Sequence, residues 1–142
     1  MIANERQYAI TRAQIERFQQ ALDGSAAQEA KLHPRALKAM RAGLESQLQD
    51  LRAEVAEYER LKGGEVASIV ADSILDLARV LIQARIVRNW TQRELAERLA
   101  LPEQQIQRYE ATLYKGVAVE RLQEVADALK LRVREVVTLD PV

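Results

Sequence analysis

The chain has no cysteine and one histidine, His33. The missing cysteines exclude a disulfide framework and any thiolate site. With so little histidine, no cluster shows metal-ligand spacing, and no glycine-rich loop is placed to cradle a phosphate. No catalytic residue is nominated, no metal or cofactor is expected, and the chain is not read as an enzyme. His33, beside Pro34, reads as a helix-start residue. Aromatic residues are scarce, at 4%. No run approaches the roughly 18 unbroken apolar residues of a transmembrane helix. The opening MIANERQYAI carries no apolar signal-peptide run. A cytoplasmic protein without a membrane partner is expected.

Net charge is also absent: 21 Lys and Arg balance 21 Asp and Glu. Its distribution says more than the total. Residues 79–118 hold seven basic against four acidic side chains, and residues 63–78 hold none against three. Residues 1–62 hold ten against nine, and residues 119–142 four against five. The basic excess is local and modest, so any nucleic-acid binding must lean on geometry and dimerisation more than on bulk charge.

What is plentiful is helix-forming sequence. Ala, Leu, Glu, Gln and Arg dominate, and 48% apolar residues suffice for a packed core in 142 residues. An all-α protein is expected. Thr11-Arg12-Ala13-Gln14 has the pattern of a capping box, with Ile10 and Ile15 as its hydrophobic staple. Ile15, Phe18 and Leu22 follow on one helical face. Pro34 opens a long second helix, where its missing N–H does no harm. Leu37, Leu44, Leu51 and Tyr58 recur every seven residues along it, with Met40, Leu48, Val55 and Leu61 in the adjacent stripe. Such a stripe needs a partner, either the first helix or a second chain. Residues 1–62 are therefore read as a helical hairpin or coiled coil. The first helix is short, so Leu37, Met40, Leu44, Leu48, Leu51, Val55 and Tyr58 are candidates for dimerisation, with Leu44, Leu48 and Leu51 central.

Gly63-Gly64 ends the long helix, and residues 63–72 are read as a linker containing a loop or short extended piece at 65–70. Ser73-Ile74-Leu75-Asp76 is another cap signature, and Ile74, Leu77, Ala78, Leu81 and Ile82 form the next face. Asn89 suits a left-handed helix end. Thr91-Gln92-Arg93-Glu94 is a capping box, and Pro102 opens a glutamine-rich helix, EQQIQRYE. Leu122, Val125, Ala126 and Leu129 mark a further helix, and Val133, Val136 and Val137 a short fifth. Residues 73–142 thus form a five-helix domain.

TQRELAERLALPEQQIQRYE, followed by LQEVADALKL, resembles the lambda-repressor-like helix-turn-helix fold of the Xre/Cro regulators. Ala96 stands where two helices approach closely, and Leu95, Leu99, Ile106 and Tyr109 stand at apolar positions. Trp90 fills the slot before the capped helix. The chain departs from the family at Ala100, where glycine is usual in the turn, and at Ala111, where glycine often follows the glutamate.

The resemblance implies that the glutamine-rich helix lies in the DNA major groove. It implies base contacts from Glu103, Gln104, Gln107 and Arg108, with Gln105 nearby. Gln92, with Arg93 beside it, and Lys115 are implied at phosphates, with Tyr114 a further candidate. Arg85 and Arg88 are read as phosphate contacts or plain solvated charge. The implied function is sequence-specific, repressive DNA binding by a homodimer on a palindromic operator. A narrower version is an antitoxin that represses its own operon and binds a toxin protein. The rival is a protein-interaction module whose long helix binds a partner, with little DNA contact.

Overall fold

Asn4, rather than Thr11, starts the first helix. In the computed structural model, which describes residues 1–28 and 31–142, α1 spans Glu5–Asp23. The Asn4 side chain accepts from the Gln7 N–H at 2.8 Å, and Gln7 Oε1 accepts from the Ala3 N–H at 2.8 Å. This reciprocal pair supplies the cap expected of the Thr11 box. Thr11 lies inside the helix, and its hydroxyl donates back to the Gln7 carbonyl at 2.9 Å, the usual outlet for a mid-helix threonine.

A 3₁₀ turn, Gly24–Gln28, follows, and then α2, Pro34–Lys62. His33 caps α2, its Nδ1 accepting from the Arg35 N–H at 3.1 Å. The 29 residues of α2 make it about 43 Å long, against about 28 Å for the 19 residues of α1. The helices pair antiparallel, early residues of one against late residues of the other. The Tyr58 hydroxyl donates to Glu5 at 2.9 Å, Tyr8 to Glu59 at 2.5 Å, and Arg52 to Gln19 at 2.8 Å. Arg41 donates to the buried Ser25 hydroxyl at 2.7 Å.

Pairing with α1 changes the reading of the leucine stripe. Leu37, Leu48 and Tyr58 are buried, and Met40, Leu44, Leu51 and Val55 are half-buried. Leu48 is only 3% exposed in the single chain. An interface centred on it would have to displace what already covers it. The expectation that Leu48 lies open is corrected: this part of α2 faces the last turns of α1 and the 3₁₀ turn after it, as the Arg52–Gln19 and Arg41–Ser25 bonds show, while Leu44 and Leu51 stay half-buried.

The chain divides into two compact units, Met1–Glu65 and Val66–Val142. In the second, Ser73 caps a 3₁₀ turn, Ile74–Asp76, its hydroxyl accepting from the Asp76 N–H at 3.2 Å. Then come α3 (Leu77–Val87), α4 (Gln92–Arg98), α5 (Glu103–Ala111) and α6 (Val119–Ala128). Leu81, Ile82, Ile86, Leu95, Ile106, Val125 and Leu129 form the core. Ile74, expected on the buried face of α3, is exposed because it belongs to the preceding turn. Residues 65–70 carry no regular structure, and neither do residues 131–142. The expected fifth helix at Val133, Val136 and Val137 does not form. β-branched residues restrict χ1 in a helix, and no capping residue opens one there.

Candidate nucleic-acid interface

Two short helices and the turn between them set the geometry. Thr91 opens α4: its hydroxyl accepts from the Glu94 N–H at 3.1 Å, and the Glu94 carboxylate accepts from the Thr91 N–H at 2.6 Å. The helix ends at Ala100, which takes a left-handed φ of 54°. The Ala100 N–H bonds the Glu97 carbonyl at 3.2 Å, and the Leu101 N–H reaches back to Ala96 at 2.9 Å. These two bonds close the helix in a Schellman motif without a glycine. Pro102 follows in extended conformation and sets the direction of α5. Ala96 is buried, small enough for the close approach that the turn requires.

Ile106 is fully buried and Tyr109 half-buried, so this side of α5 is fixed inward. On the other side Glu103, Gln104, Gln107 and Arg108 are exposed, and Gln105 is half-buried. Positions 103, 104, 107 and 108 fall on one stripe, since side chains four apart lie one above the other. Gln107 Nε2 donates to Glu103 Oε1 at 3.3 Å, so the carboxylate orients a neighbouring amide. Lys115 is exposed in the turn after α5. Arg93 is exposed and paired with Glu97 at 3.1 Å.

Behind α5 lies a buried polar cluster. Arg85 grips the Glu110 carboxylate with two bonds, Nε to Oε1 at 2.6 Å and Nη2 to Oε2 at 2.8 Å. Its third nitrogen donates to the Trp90 carbonyl at 2.7 Å. Gln92 Nε2 adds a bond to Glu110 Oε2 at 2.8 Å. One carboxylate thus ties together α3, the start of α4 and the far end of α5. Tyr114 packs close by, its ring 5.4 Å from that of Tyr109. Its hydroxyl is buried and has no hydrogen-bond partner among the described residues. Burial, reinforced by the negative Glu110, pushes its ionisation well above the usual tyrosine range.

Four expectations change here. Arg85 is neither a phosphate contact nor a solvated charge; it sits inside, facing Glu110. Arg88 bonds the Leu129 and Lys130 carbonyls at 3.1 and 3.3 Å, holding the end of α6. Tyr114 is inside, so its side chain is not displayed in the loop. Gln92, expected at a phosphate, is buried, with its amide nitrogen turned to Glu110. The Arg85–Glu110 pair escaped the sequence reading, although a signal was there. Position 85 follows Leu81 and Ile82 on the apolar face, and position 110 follows Ile106 at four residues. A charge on a core-facing position requires a partner.

Residues 81–136 match the helix-turn-helix family model. This part of the chain is similar to the helix-turn-helix family, with α4 and α5 in the place of its bihelical unit. No curated protein and no solved structure matches the chain. No helix among the described residues is long and apolar enough to cross a membrane.

Proposed function

We propose that the protein is a sequence-specific transcriptional regulator that binds a palindromic operator as a homodimer and represses by occupying it. The observation that carries this reading is the exposed polar stripe of α5, backed by a buried clamp on the same helix. Gln104 and Gln107 suit adenine, which presents one donor and one acceptor to a carboxamide. Arg108 suits guanine O6 and N7. Glu103 orients Gln107 and excludes bases that present only acceptors at that point. Gln105 lies at the edge of the stripe. Arg93 and Lys115 serve phosphates. Gln92 positions the start of α4 through Glu110, which ranks ahead of any phosphate contact of its own.

Binding to the gene's own upstream DNA tests the reading. Gln104→Ala and Arg108→Ala should each weaken a cognate site by about 1–3 kcal/mol and relax sequence preference. Lys115→Ala should weaken all sequences evenly, because phosphate contacts carry little sequence information. Wild-type affinity in both α5 variants would rule out this face as the reader. The narrower reading, an autorepressing antitoxin, draws support from the separate helical hairpin, residues 1–62, as a surface for a toxin. Co-purification of the hairpin with the product of a neighbouring small gene tests it.

A further inference from the structure

Residues 131–142, LRVREVVTLDPV, carry no regular structure, yet their start is fixed. The Leu131 N–H bonds the Ala126 carbonyl at 2.9 Å, and Arg88 holds the Leu129 and Lys130 carbonyls. Beyond that anchor Val136, Val137 and Leu139 are 83%, 82% and 90% exposed. Apart from Glu135 and Val136, the segment alternates apolar and polar residues as a half-buried strand does. Leu131, Val133, Glu135, Val137 and Leu139 take one face; Arg132, Arg134, Val136, Thr138 and Asp140 take the other. The pattern has no sheet to serve within the chain, since the described residues contain no strand for it to join.

We propose that residues 132–140 pair with the same residues of a second copy as an antiparallel β-ribbon centred on Val136. A two-fold axis between antiparallel strands sets one residue opposite its own copy. Centring on Arg134 or Glu135 opposes like charges, and centring on Val133 sets Arg132 against Arg134. Val136 at the centre places Arg132 opposite Asp140 at both ends and Val133 opposite Leu139, with Glu135 opposite Val137 on the same face. It also leaves Pro141, which has no N–H to give, outside the paired span. Val137 at the centre would bring Pro141 inside it. A second copy is therefore the occupant whose charges fit. The inference rests on the DNA-binding homodimer reading and supplies its contact, because each strand leaves a fixed point at the end of α6. A two-stranded ribbon alone is marginal. The association is weak off DNA and strengthens when two half-sites hold the copies together.

The cysteine-free chain allows a direct test. Under mild oxidation of the full chain, Val136→Cys forms a covalent dimer, because a central pair lies within disulfide reach. Val133→Cys alone does not, since the two copies of that residue sit about 20 Å apart along the ribbon. A mixture of Val133→Cys and Leu139→Cys chains cross-links as a heterodimer. Adding Arg132→Glu to the Val136→Cys chain lowers its cross-linking about tenfold, and a further Asp140→Arg restores it. Equal cross-linking at 133, 136 and 137 means colliding loose segments and overturns the proposal. So does no cross-link at 136, or a preference for 137. Circular dichroism confirms that these exposed positions leave the helices intact. A cross-linked dimer that ignores upstream DNA refutes the proposed function but not the ribbon. Tight operator binding without cross-linking at 136 refutes the ribbon alone.

Discussion

The two units end their helices in different ways. In the first, α1 passes through Gly24 into a 3₁₀ turn with no left-handed residue, and α2 ends on a left-handed glycine, Gly64 at φ 73°. In the second, all four α-helices end on a left-handed residue that is not glycine: Asn89, Ala100, Leu113 and Lys130, at φ 50–56°. Each is closed by the same two bonds, seen after α5 as Leu113 N–H to Glu110 at 3.1 Å and Tyr114 N–H to Tyr109 at 2.7 Å. A left-handed L-residue costs roughly 1–2 kcal/mol, somewhat less for asparagine. Polar contacts differ in the same direction. The hairpin keeps Tyr8–Glu59 at its surface, while the second unit buries Arg85 and Glu110 at 3% and 1% side-chain exposure. A buried ion pair is weak evidence of stability but a strong constraint on geometry. The hairpin is held by an apolar stripe along α2, with Leu37, Leu48, Tyr58 and Leu61 buried. The second unit gives up stability to hold α5 in one orientation.

Breaking the buried pair gives the largest expected effect. Glu110→Ala leaves Arg85 buried without its carboxylate and should cost about 3–5 kcal/mol in urea denaturation. Replacing both by apolar residues, Arg85→Met with Glu110→Leu, should recover most of that loss. The matching change in the hairpin, Glu59→Ala, removes an exposed bond and should stay within about 0.5 kcal/mol. Similar losses at positions 59 and 110 would erase the contrast between the units.

The helix ends give the intermediate effect, with opposite signs in the two units. Ala100→Gly and Leu113→Gly relieve a steric cost of about 1–2 kcal/mol each. They also free the unfolded chain, which offsets about 0.4–1 kcal/mol. The net result should be stabilisation by up to about 1 kcal/mol, raising the melting temperature. Leu113 is 55% exposed, so little burial is lost. Gly64→Ala should lower stability by a comparable amount, because its φ is positive. A fall in melting temperature for both glycine variants would mean that the turns, and not the side chains, prefer the residues present.

The same contrast explains what the sequence revealed. Heptad spacing from Leu37 to Tyr58, Pro34 and the Gly63-Gly64 stop placed α2, because each is a local signal. The Thr91 box placed the start of α4, and Asn89 the left-handed end of α3, for the same reason. The α5 stripe came with the family resemblance, which also set Ile106 and Tyr109 at apolar positions. What was misread depends on distant partners. Arg85 and Glu110 are 25 residues apart, so the apolar face that Arg85 shares with Leu81 and Ile82 called for a buried partner without showing which residue it was. The Thr11 box was a true local pattern overruled by Asn4, whose helix continues straight through it. The valines at 133, 136 and 137 fit helical spacing, while Leu131, Val133, Val137 and Leu139 fit strand alternation, and short apolar segments do not separate the two.

Acid gives the smallest effect, and it too falls in both units. The Arg79 guanidinium, donating to the Asp76 carboxylate at 2.8 and 2.6 Å, holds its pKa at about 2 instead of 3.8, with help from the Asp72 N–H. The folded protein thus releases this proton more readily than the unfolded chain. The contribution is complete above about pH 3.8 and is lost as pH falls through about 2. Arg79 also donates to the Val70 carbonyl at 3.1 Å, so protonation loosens the entry to α3. In the hairpin, Glu5 is lowered from 4.5 by the Tyr58 hydroxyl and Lys62, across two helices. Asp76 and Arg79 are only three residues apart, so their attraction partly survives unfolding. Asp76→Asn should therefore flatten the fall in urea midpoint between about pH 4 and pH 2 by less than Glu5→Gln does. A larger effect at Asp76 would show that the segment before α3 is held by this carboxylate as firmly as α1 is held to α2.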